Sequence, residues 1–296
     1  MPERPRVLLV GGFSTSPPLY RPMAARLAER GVAHVAIAPV WLPDWIVASR
    51  VGLGPLARRV ARSIAREWRD GGRRPLLVVG HSAGGILARL AMSPVPFQGY
   101  GTGVGEAVGA LVTLGTPHRV SPAAGPGAAS GIGRRRARGT WRDGPGADAA
   151  RFLEAVLPGA ALAPRTGYVT VASTLVPGRA PGGSAPRGSA PRGSAPGGSA
   201  PGGTAVPWRH RFAGEIYAGI LGEEGRAASG DGVVPVTSAH LEGALQITLD
   251  DVVHGQLGGG SWYGSDDAID RWWPAALTAW RSALETRART DVHEGP

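Results

Sequence analysis

Short runs of apolar residues recur along the chain, and segments with a helical spacing of apolar positions lie between them. Runs of four or five consecutive apolar residues are typical of strands that a parallel sheet buries on both faces. The predicted strands are residues 7–10, 35–38, 76–79, 110–114, 168–172 and 245–249.

Four of the intervening segments carry apolar residues three or four positions apart, which predicts amphipathic helices. These predicted helices are residues 19–30, 55–69, 84–92 and 266–284. In the second of them, Leu56, Val60 and Ile64 form one apolar stripe among arginines. The alternation of strand and helix predicts one α/β domain over residues 1–290, with a mainly parallel sheet of about six strands and helices on both faces.

Two regions interrupt this pattern. Residues 117–148 are rich in glycine and arginine and have little apolar periodicity, so we interpret them as a long loop or lid. In residues 178–205 a pentapeptide of Gly, Ser, Ala, Pro and Arg or Gly is repeated. Such a sequence cannot bury enough apolar surface to offset the entropy of ordering it, which predicts a flexible, low-complexity insertion.

The composition narrows the classes of protein further. The 32 Lys and Arg residues, all of them arginine, exceed the 22 acidic residues and give a net charge of +10. A basic chain can bind nucleic acid or an anionic membrane surface, but these arginines are spread along the chain without a nucleic-acid motif. We therefore expect no nucleic-acid partner. The absence of cysteine excludes disulfides and a cysteine nucleophile.

The apolar runs also bear on location. No run approaches the roughly 18 residues of a membrane-spanning helix, so we predict no stable membrane insertion. The N-terminal apolar run is too short for a secretory signal and no small-residue cleavage site follows it. The sequence thus favours a cytoplasmic protein.

The candidate chemistry centres on Ser82, within Gly80-His81-Ser82-Ala83-Gly84. This G-x-S-x-G motif joins a predicted strand directly to a predicted helix, which is the context of a nucleophile elbow. Small residues on both sides permit the sharp turn that exposes the serine hydroxyl. The amide of Ala83 would lie at the helix N-terminus, where unpaired N–H groups stabilise an oxyanion.

A serine nucleophile needs a base and an acid that orients the base. Of the seven histidines, His254 follows the last predicted strand and is our candidate base, with His240 as an alternative. The candidate acid is Asp231 in Ser229-Gly230-Asp231-Gly232, with Asp250 and Asp251 as alternatives. Along the chain the order is Ser82, Asp231, His254, and proteins with a nucleophile elbow have the same order of serine, acid and histidine.

The second oxyanion donor should come from the glycine-rich turn after the first strand. Gly11-Gly12-Phe13 occupies that place, so the N–H of Phe13 is our candidate beside that of Ala83. Asp250 and Asp251 could also suggest a calcium ligand pair, but adjacent carboxylates point to opposite sides of a strand end. We expect no metal and no cofactor, since phosphate-loop, dinucleotide-binding and metal-binding histidine motifs are absent from the sequence.

Together these motifs resemble those of α/β-hydrolases of the lipase and esterase type. The matching segments include G-H-S-x-G at residues 80–84, L-G-T-P-H at residues 114–118 and D-G-x-V-P at residues 231–235. The resemblance spans roughly residues 6–285, apart from the two interrupting regions, and it implies a six-stranded fold that lacks the antiparallel start of larger hydrolases.

The resemblance implies hydrolysis of a small-molecule or lipid ester by Ser82, His254 and Asp231 through an acyl-enzyme. Gly12, His81 and His118 are expected beside the bound substrate, with His118 as a structural neighbour and not a catalyst. Residues 119–148 are polar and glycine-rich where lipases often carry an apolar lid, which favours an esterase. The alternatives are an acyltransferase or thioesterase with the same three residues, or a catalytically silent binding protein.

Overall fold

A computed structural model describes residues 4–121, 144–178 and 207–293 of the chain. Six strands form one parallel sheet in the order β2-β1-β3-β4-β5-β8. Their bounds are β1 Arg6–Val10, β2 His34–Ile37, β3 Leu76–His81, β4 Val108–Leu114, β5 Gly167–Ser173 and β8 Leu245–Leu249. A short antiparallel pair, β6 Val176–Pro177 and β7 Ser229–Gly230, lies apart from this sheet.

The six predicted strands are therefore the six strands of the sheet, and every pairing between neighbours is parallel. The prediction of burial was wrong for β8. This strand lies at the edge of the sheet, and Leu245 at its start is 52% exposed. An edge strand has a neighbour on one side only, so its apolar run is partly open to solvent.

Helices connect the strands. Their bounds are α1 Arg21–Glu29, α2 Leu42–Val51, α3 Gly54–Asp70, α4 Ala83–Met92, α5 Pro145–Val156, α6 Pro207–Leu221, α7 Val236–Ala239 and α8 Asp266–His293. The predicted helices correspond to α1, α3, α4 and α8, although α8 extends nine residues beyond the predicted end at residue 284. The residues before α1 form a short 3-10 helix, Pro17–Tyr20.

Two apolar layers enclose the sheet. Alternate residues of β1 face opposite sides, with Leu8 in one buried cluster and Leu9 in the other. The first cluster contains residues of α2, α3, α4 and α5, and the second contains residues of α1 and α8. In α8, Trp272 and Trp280 are almost fully buried. The result is an α/β/α sandwich, as predicted.

The interrupting regions lie largely outside the described residues. Of the proposed loop or lid, residues 122–143 are not described, whereas residues 145–148 form the first turn of α5. Of the proposed insertion, all but residue 178 falls outside the described part. Within the three described ranges, no helix is both long enough and apolar enough to cross a membrane.

Candidate active site

The carboxyl ends of the central strands converge on Ser82. This serine lies between β3 and α4, where its backbone has φ 54° and ψ −130°, an unfavourable conformation for a residue with a side chain. Its N–H donates to the carbonyl of Leu114 over 2.9 Å, which ties the turn to the end of β4. A β-carbon at Gly84 would overlap the carbonyl of Val10, so this position tolerates only glycine. The local geometry is that of a sharp strand-to-helix elbow.

The structure brings Ser82 and His254 together. Nε2 of His254 lies 2.9 Å from Oγ of Ser82, and both side chains are only partly buried. Nδ1 of the same ring lies 2.8 Å from Oδ2 of Asp231. The three sequence candidates thus form a continuous hydrogen-bonded series, in which the imidazole can accept the serine proton and the carboxylate can hold the ring.

Asp231 is a buried carboxylate with a full set of donors. Oδ1 accepts the N–H groups of Val233 and Val234 over 2.9 and 2.8 Å, while Oδ2 faces His254. Burial alone would raise the pKa of Asp231, but the neighbouring His254 and the two backbone donors outweigh it and hold this pKa below its usual value. The group is therefore ionised at neutral pH.

Tyr263 and Gly115 complete the surroundings of this carboxylate, and sequence reasoning gave neither of them a role at the acid. The hydroxyl of Tyr263 donates to Oδ2 of Asp231 over 2.9 Å. A β-carbon at Gly115 would lie 2.6 Å from the same oxygen, and the φ of Gly115 is +53°. The L-G-T-P-H motif contains Gly115, whereas no sequence signal distinguishes Tyr263 from the other tyrosines.

The alternative base His240 and the alternative acid Asp251 have other partners, and the other alternative acid, Asp250, is exposed. His240 lies between Thr170 and Thr248, with its ring nitrogens 2.8 and 3.0 Å from their hydroxyls. Asp251 forms an ion pair with Arg271 over 2.7 Å. In the described ranges, no group of three or more His, Asp or Glu residues is arranged to hold a metal ion.

The two proposed oxyanion donors flank the serine. Ala83 is the first residue of α4, and Phe13 lies in the turn after β1 and lines the same cavity as Ser82. Among the described residues, neither N–H donates to a backbone or side-chain acceptor. Gly12 packs directly against the serine, since a β-carbon there would lie 2.7 Å from Cβ of Ser82. The absence of a protein acceptor for either N–H among these residues is compatible with the proposed oxyanion role.

His81 lies in the wall of this cavity and is 6% exposed. Its Nε2 is 2.7 Å from the carbonyl oxygen of His254, and its Nδ1 is 2.8 Å from the hydroxyl of Tyr20. Burial, with a contribution from His254, lowers the pKa of His81 to about 3, so its ring is neutral. Both ring nitrogens are engaged by protein atoms and are not free to bind substrate.

His118 is not brought to the cavity. The side chain is 1% exposed, and its Nε2 lies 2.9 Å from the hydroxyl of Thr113. Its other nitrogen faces the buried guanidinium of Arg89 at 3.4 Å. The expectation that His118 touches substrate is therefore not met, because the chain after β4 turns this ring into the interior.

A cavity of about 280 Å³ opens beside Ser82. It lies between the turn after β1, the loop after His254 and helix α6. Its apolar side chains are those of Phe13, Leu19, Ile216, Val233, Leu257 and Trp262. The cavity presents these apolar side chains next to the hydroxyl of Ser82 and the imidazole of His254, which suits a substrate with a hydrocarbon part adjoining a polar reacting centre.

Comparisons with known proteins bear on the fold. A model of the PGAP1-like alpha/beta domain family matches residues 60–130, which include the elbow and β4. The structure of the lipase BlEst2 of Bacillus licheniformis in its mature form is similar, with a TM-score of 0.55 and 18% sequence identity. That similarity covers 95% of this chain and 93% of the lipase.

A partial similarity links this chain to lipase B of Aspergillus fumigatus, with 13% identity and a TM-score of 0.39. It covers 57% of this chain and 37% of that one. The sequence matches none of the curated proteins. The similarity to BlEst2, which covers nearly all of both chains, shows that this chain has the α/β-hydrolase fold that its motifs predict.

Proposed function

We propose that the protein is a serine hydrolase that cleaves carboxylic acyl esters through an acyl-enzyme. The observation that carries the proposal is the hydrogen-bonded series from Oγ of Ser82 through His254 to Asp231, with distances of 2.9 and 2.8 Å. Such a series supplies the two functions that a serine lacks, a base for its proton and a fixed orientation for that base.

In the first step, His254 accepts the proton of Ser82 while the serine oxygen attacks the ester carbonyl. The negative charge that develops on the carbonyl oxygen is stabilised by the N–H groups of Phe13 and Ala83. The alcohol leaves with the proton from His254, and the acyl group stays on Ser82. Water then attacks the acyl-enzyme with the same base, which releases the acid and restores the hydroxyl.

Asp231 acts on the ring of His254 and not on the substrate. Its ionised carboxylate accepts a hydrogen bond from the Nδ1–H group, which keeps the proton on Nδ1 and leaves Nε2 free to accept the proton of Ser82. The same negative charge stabilises the imidazolium during the attack. Tyr263 and the two backbone donors keep the carboxylate in place, so the orientation of the base is set before substrate binds.

The cavity supports an uncharged acyl or alcohol group as the part of the substrate beside Ser82. Its apolar side chains would bind hydrocarbon, and Ser82 and His254 line the same cavity. The test is a rate series on nitrophenyl esters of increasing acyl length, measured for the wild type and Ser82→Ala. We expect a rapid first release of nitrophenol and a loss of several orders of magnitude in kcat for the variant.

Activity of Ser82→Ala equal to that of the wild type would contradict the proposal. The same holds for a wild type that is inert towards every activated ester. Adding competing alcohol and thiol acceptors to the assay separates hydrolysis from acyl transfer, because transfer yields a new ester or thioester in place of the free acid.

A further inference from the structure

A second series of hydrogen bonds connects the turn after β1 to the loop that carries His254. The N–H of Gly12 donates to the hydroxyl of Tyr20 over 2.8 Å, and this hydroxyl lies 2.8 Å from Nδ1 of His81. Nε2 of His81 lies 2.7 Å from the carbonyl oxygen of His254. The series thus begins at the turn that contains Phe13 and ends at the residue that carries the proposed base.

The direction of each bond follows from the chemistry of the groups. A carbonyl oxygen only accepts, so Nε2 of His81 carries the proton and donates it to His254. The ring is neutral, which leaves Nδ1 as an acceptor for the hydroxyl of Tyr20. That hydroxyl in turn accepts the N–H of Gly12. Every donor and acceptor in the series is therefore matched without a water molecule.

Burial fixes these protonation states. Tyr20 is 3% exposed and His81 is 6% exposed. Burial raises the pKa of Tyr20, so the hydroxyl keeps its proton, and the pKa of His81 near 3 keeps that ring neutral. Substituting either partner would leave a buried polar group unpaired, which makes the arrangement sensitive to single changes.

The backbone of His254 is held at both its polar groups. Its N–H donates to the carbonyl of Asp231 over 3.0 Å, while its carbonyl accepts from His81. The side chain is held by the carboxylate of Asp231. Asp231 therefore makes two of the three contacts that hold His254. His81 makes the third, and it belongs to the elbow because it directly precedes Ser82.

We propose that Tyr20 and His81 are positioning residues. They hold the oxyanion turn, Gly12–Phe13, and the loop that carries His254 each at a fixed distance from Ser82. This inference rests on the proposed function and deepens it. Neither residue gains or loses a proton in the reaction. Their effect comes through the placement of Phe13 N–H at the carbonyl oxygen and of His254 Nε2 at Oγ of Ser82 and the leaving alcohol.

Single substitutions can remove the contact at one end of this series while they keep the contact at the other end. Tyr20→Phe removes the hydroxyl and keeps the ring. His81→Gln places an amide nitrogen near the position of Nε2 and can still donate to His254, but it offers Tyr20 no ring acceptor. His81→Asn places its oxygen near Nδ1 and can accept from Tyr20, but it does not reach the carbonyl of His254.

The experiment measures kcat and KM of the wild type, the three single variants and the Tyr20→Phe/His81→Gln double variant on a short nitrophenyl ester, with thermal unfolding to verify folding. We expect Tyr20→Phe to lower kcat about tenfold with KM changed less than about twofold. His81→Asn should lose more kcat than His81→Gln. In the His81→Gln background, Tyr20→Phe should lower kcat by clearly less than tenfold, because the acceptor for the Tyr20 hydroxyl has already been removed.

Thr113→Val is the matched control. It removes a hydroxyl that lies 2.9 Å from the ring of another buried histidine, His118, away from the cavity. We expect wild-type kcat from this variant. The inference is overturned if Tyr20→Phe and both His81 variants keep wild-type kcat, or if Thr113→Val loses as much as Tyr20→Phe. Those outcomes leave the proposed function intact, because the wild type is still active. A wild type without esterase activity instead overturns the proposed function itself.

Discussion

A β-carbon on Gly115 would lie 2.6 Å from Oδ2 of Asp231, so the end of β4 and the proposed acid touch with no space for a side chain. The position also has φ +53°, which an L-residue adopts only with strain. Gly115 thereby permits the close approach of Asp231 and His254, because Nδ1 of His254 lies 3.2 Å from the same hypothetical carbon.

Gly115→Ala is expected to displace Asp231 and lower kcat by at least about tenfold, together with a stability loss of about 1–3 kcal/mol. Gly72→Ala is the control, since Gly72 has φ +68° but a β-carbon there meets no atom within 4 Å. It should lose about 1–2 kcal/mol through the backbone alone and keep full activity. Equal activity of the two variants would contradict the assigned contact.

Tyr263→Phe tests the hydrogen bond from Tyr263 to the proposed acid. The hydroxyl donates to a buried, charged oxygen, and a hydrogen bond of that kind contributes about 1.5–3 kcal/mol. We expect urea unfolding to reveal a loss in that range, with a lower kcat because the carboxylate is less firmly held. Tyr168→Phe, in the first half of β5, removes another buried tyrosine hydroxyl and should leave kcat unchanged.

Two buried histidines make stability depend on pH. Burial lowers the pKa of His81 to about 3 and places the pKa of His118 well below its usual value. The unfolded chain protonates both near pH 6.5, so below that pH the unfolded state binds more protons and stability is lost as pH falls. As pH falls below about 6.5 the slope should rise towards about 2.7 kcal/mol per pH unit, the limit for two histidines that stay neutral in the folded protein.

Urea unfolding at a series of pH values measures this slope. His81→Gln should lower it by about half, since one of the two histidines no longer titrates. A stability that stays constant between pH 6.5 and pH 4.5 would mean that the two rings are not held neutral.

Arg287 anchors the last helix to the sheet. Its guanidinium donates to the carbonyls of Arg165, Glu106 and Val108 over 2.6–2.9 Å, and the residue is 8% exposed. Arg287→Met leaves these acceptors without their charged partner and should cost about 2–4 kcal/mol, as judged from urea unfolding. The exposed Arg281 of the same helix is the control, and Arg281→Met should change stability by less than about 0.5 kcal/mol. A null effect of Arg287→Met would contradict the anchoring role.

The six strands were predictable because a parallel sheet buries both faces of its inner strands, which gives short segments rich in apolar residues. Helices α1, α3, α4 and α8 were predictable from their apolar stripes. Helix α2 was not, because its apolar residues do not form one stripe, and Ile46 and Val47 remain exposed while Trp45 is buried. Helix α7 is only four residues long, which is too short for any periodicity to register.

Some residues of the candidate site could likewise be predicted from the sequence, and others could not. Ser82, His254 and Asp231 stand out in the sequence because small residues and strand ends mark their positions. Tyr20, Tyr263 and the interior placement of His118 depend on which loops meet in three dimensions. Local pattern does not encode such contacts between segments distant in the chain, and so His118 was misplaced and the two tyrosines were missed.

The most direct test of Ser82 as the nucleophile is the site of reaction with a fluorophosphonate. This reagent reacts with an activated serine hydroxyl, and mass spectrometry of the digested protein identifies the modified residue. We expect one adduct, on Ser82, which disappears in His254→Gln as well as in Ser82→Ala. An adduct on a different serine, or none on the folded wild type, would contradict this role of Ser82.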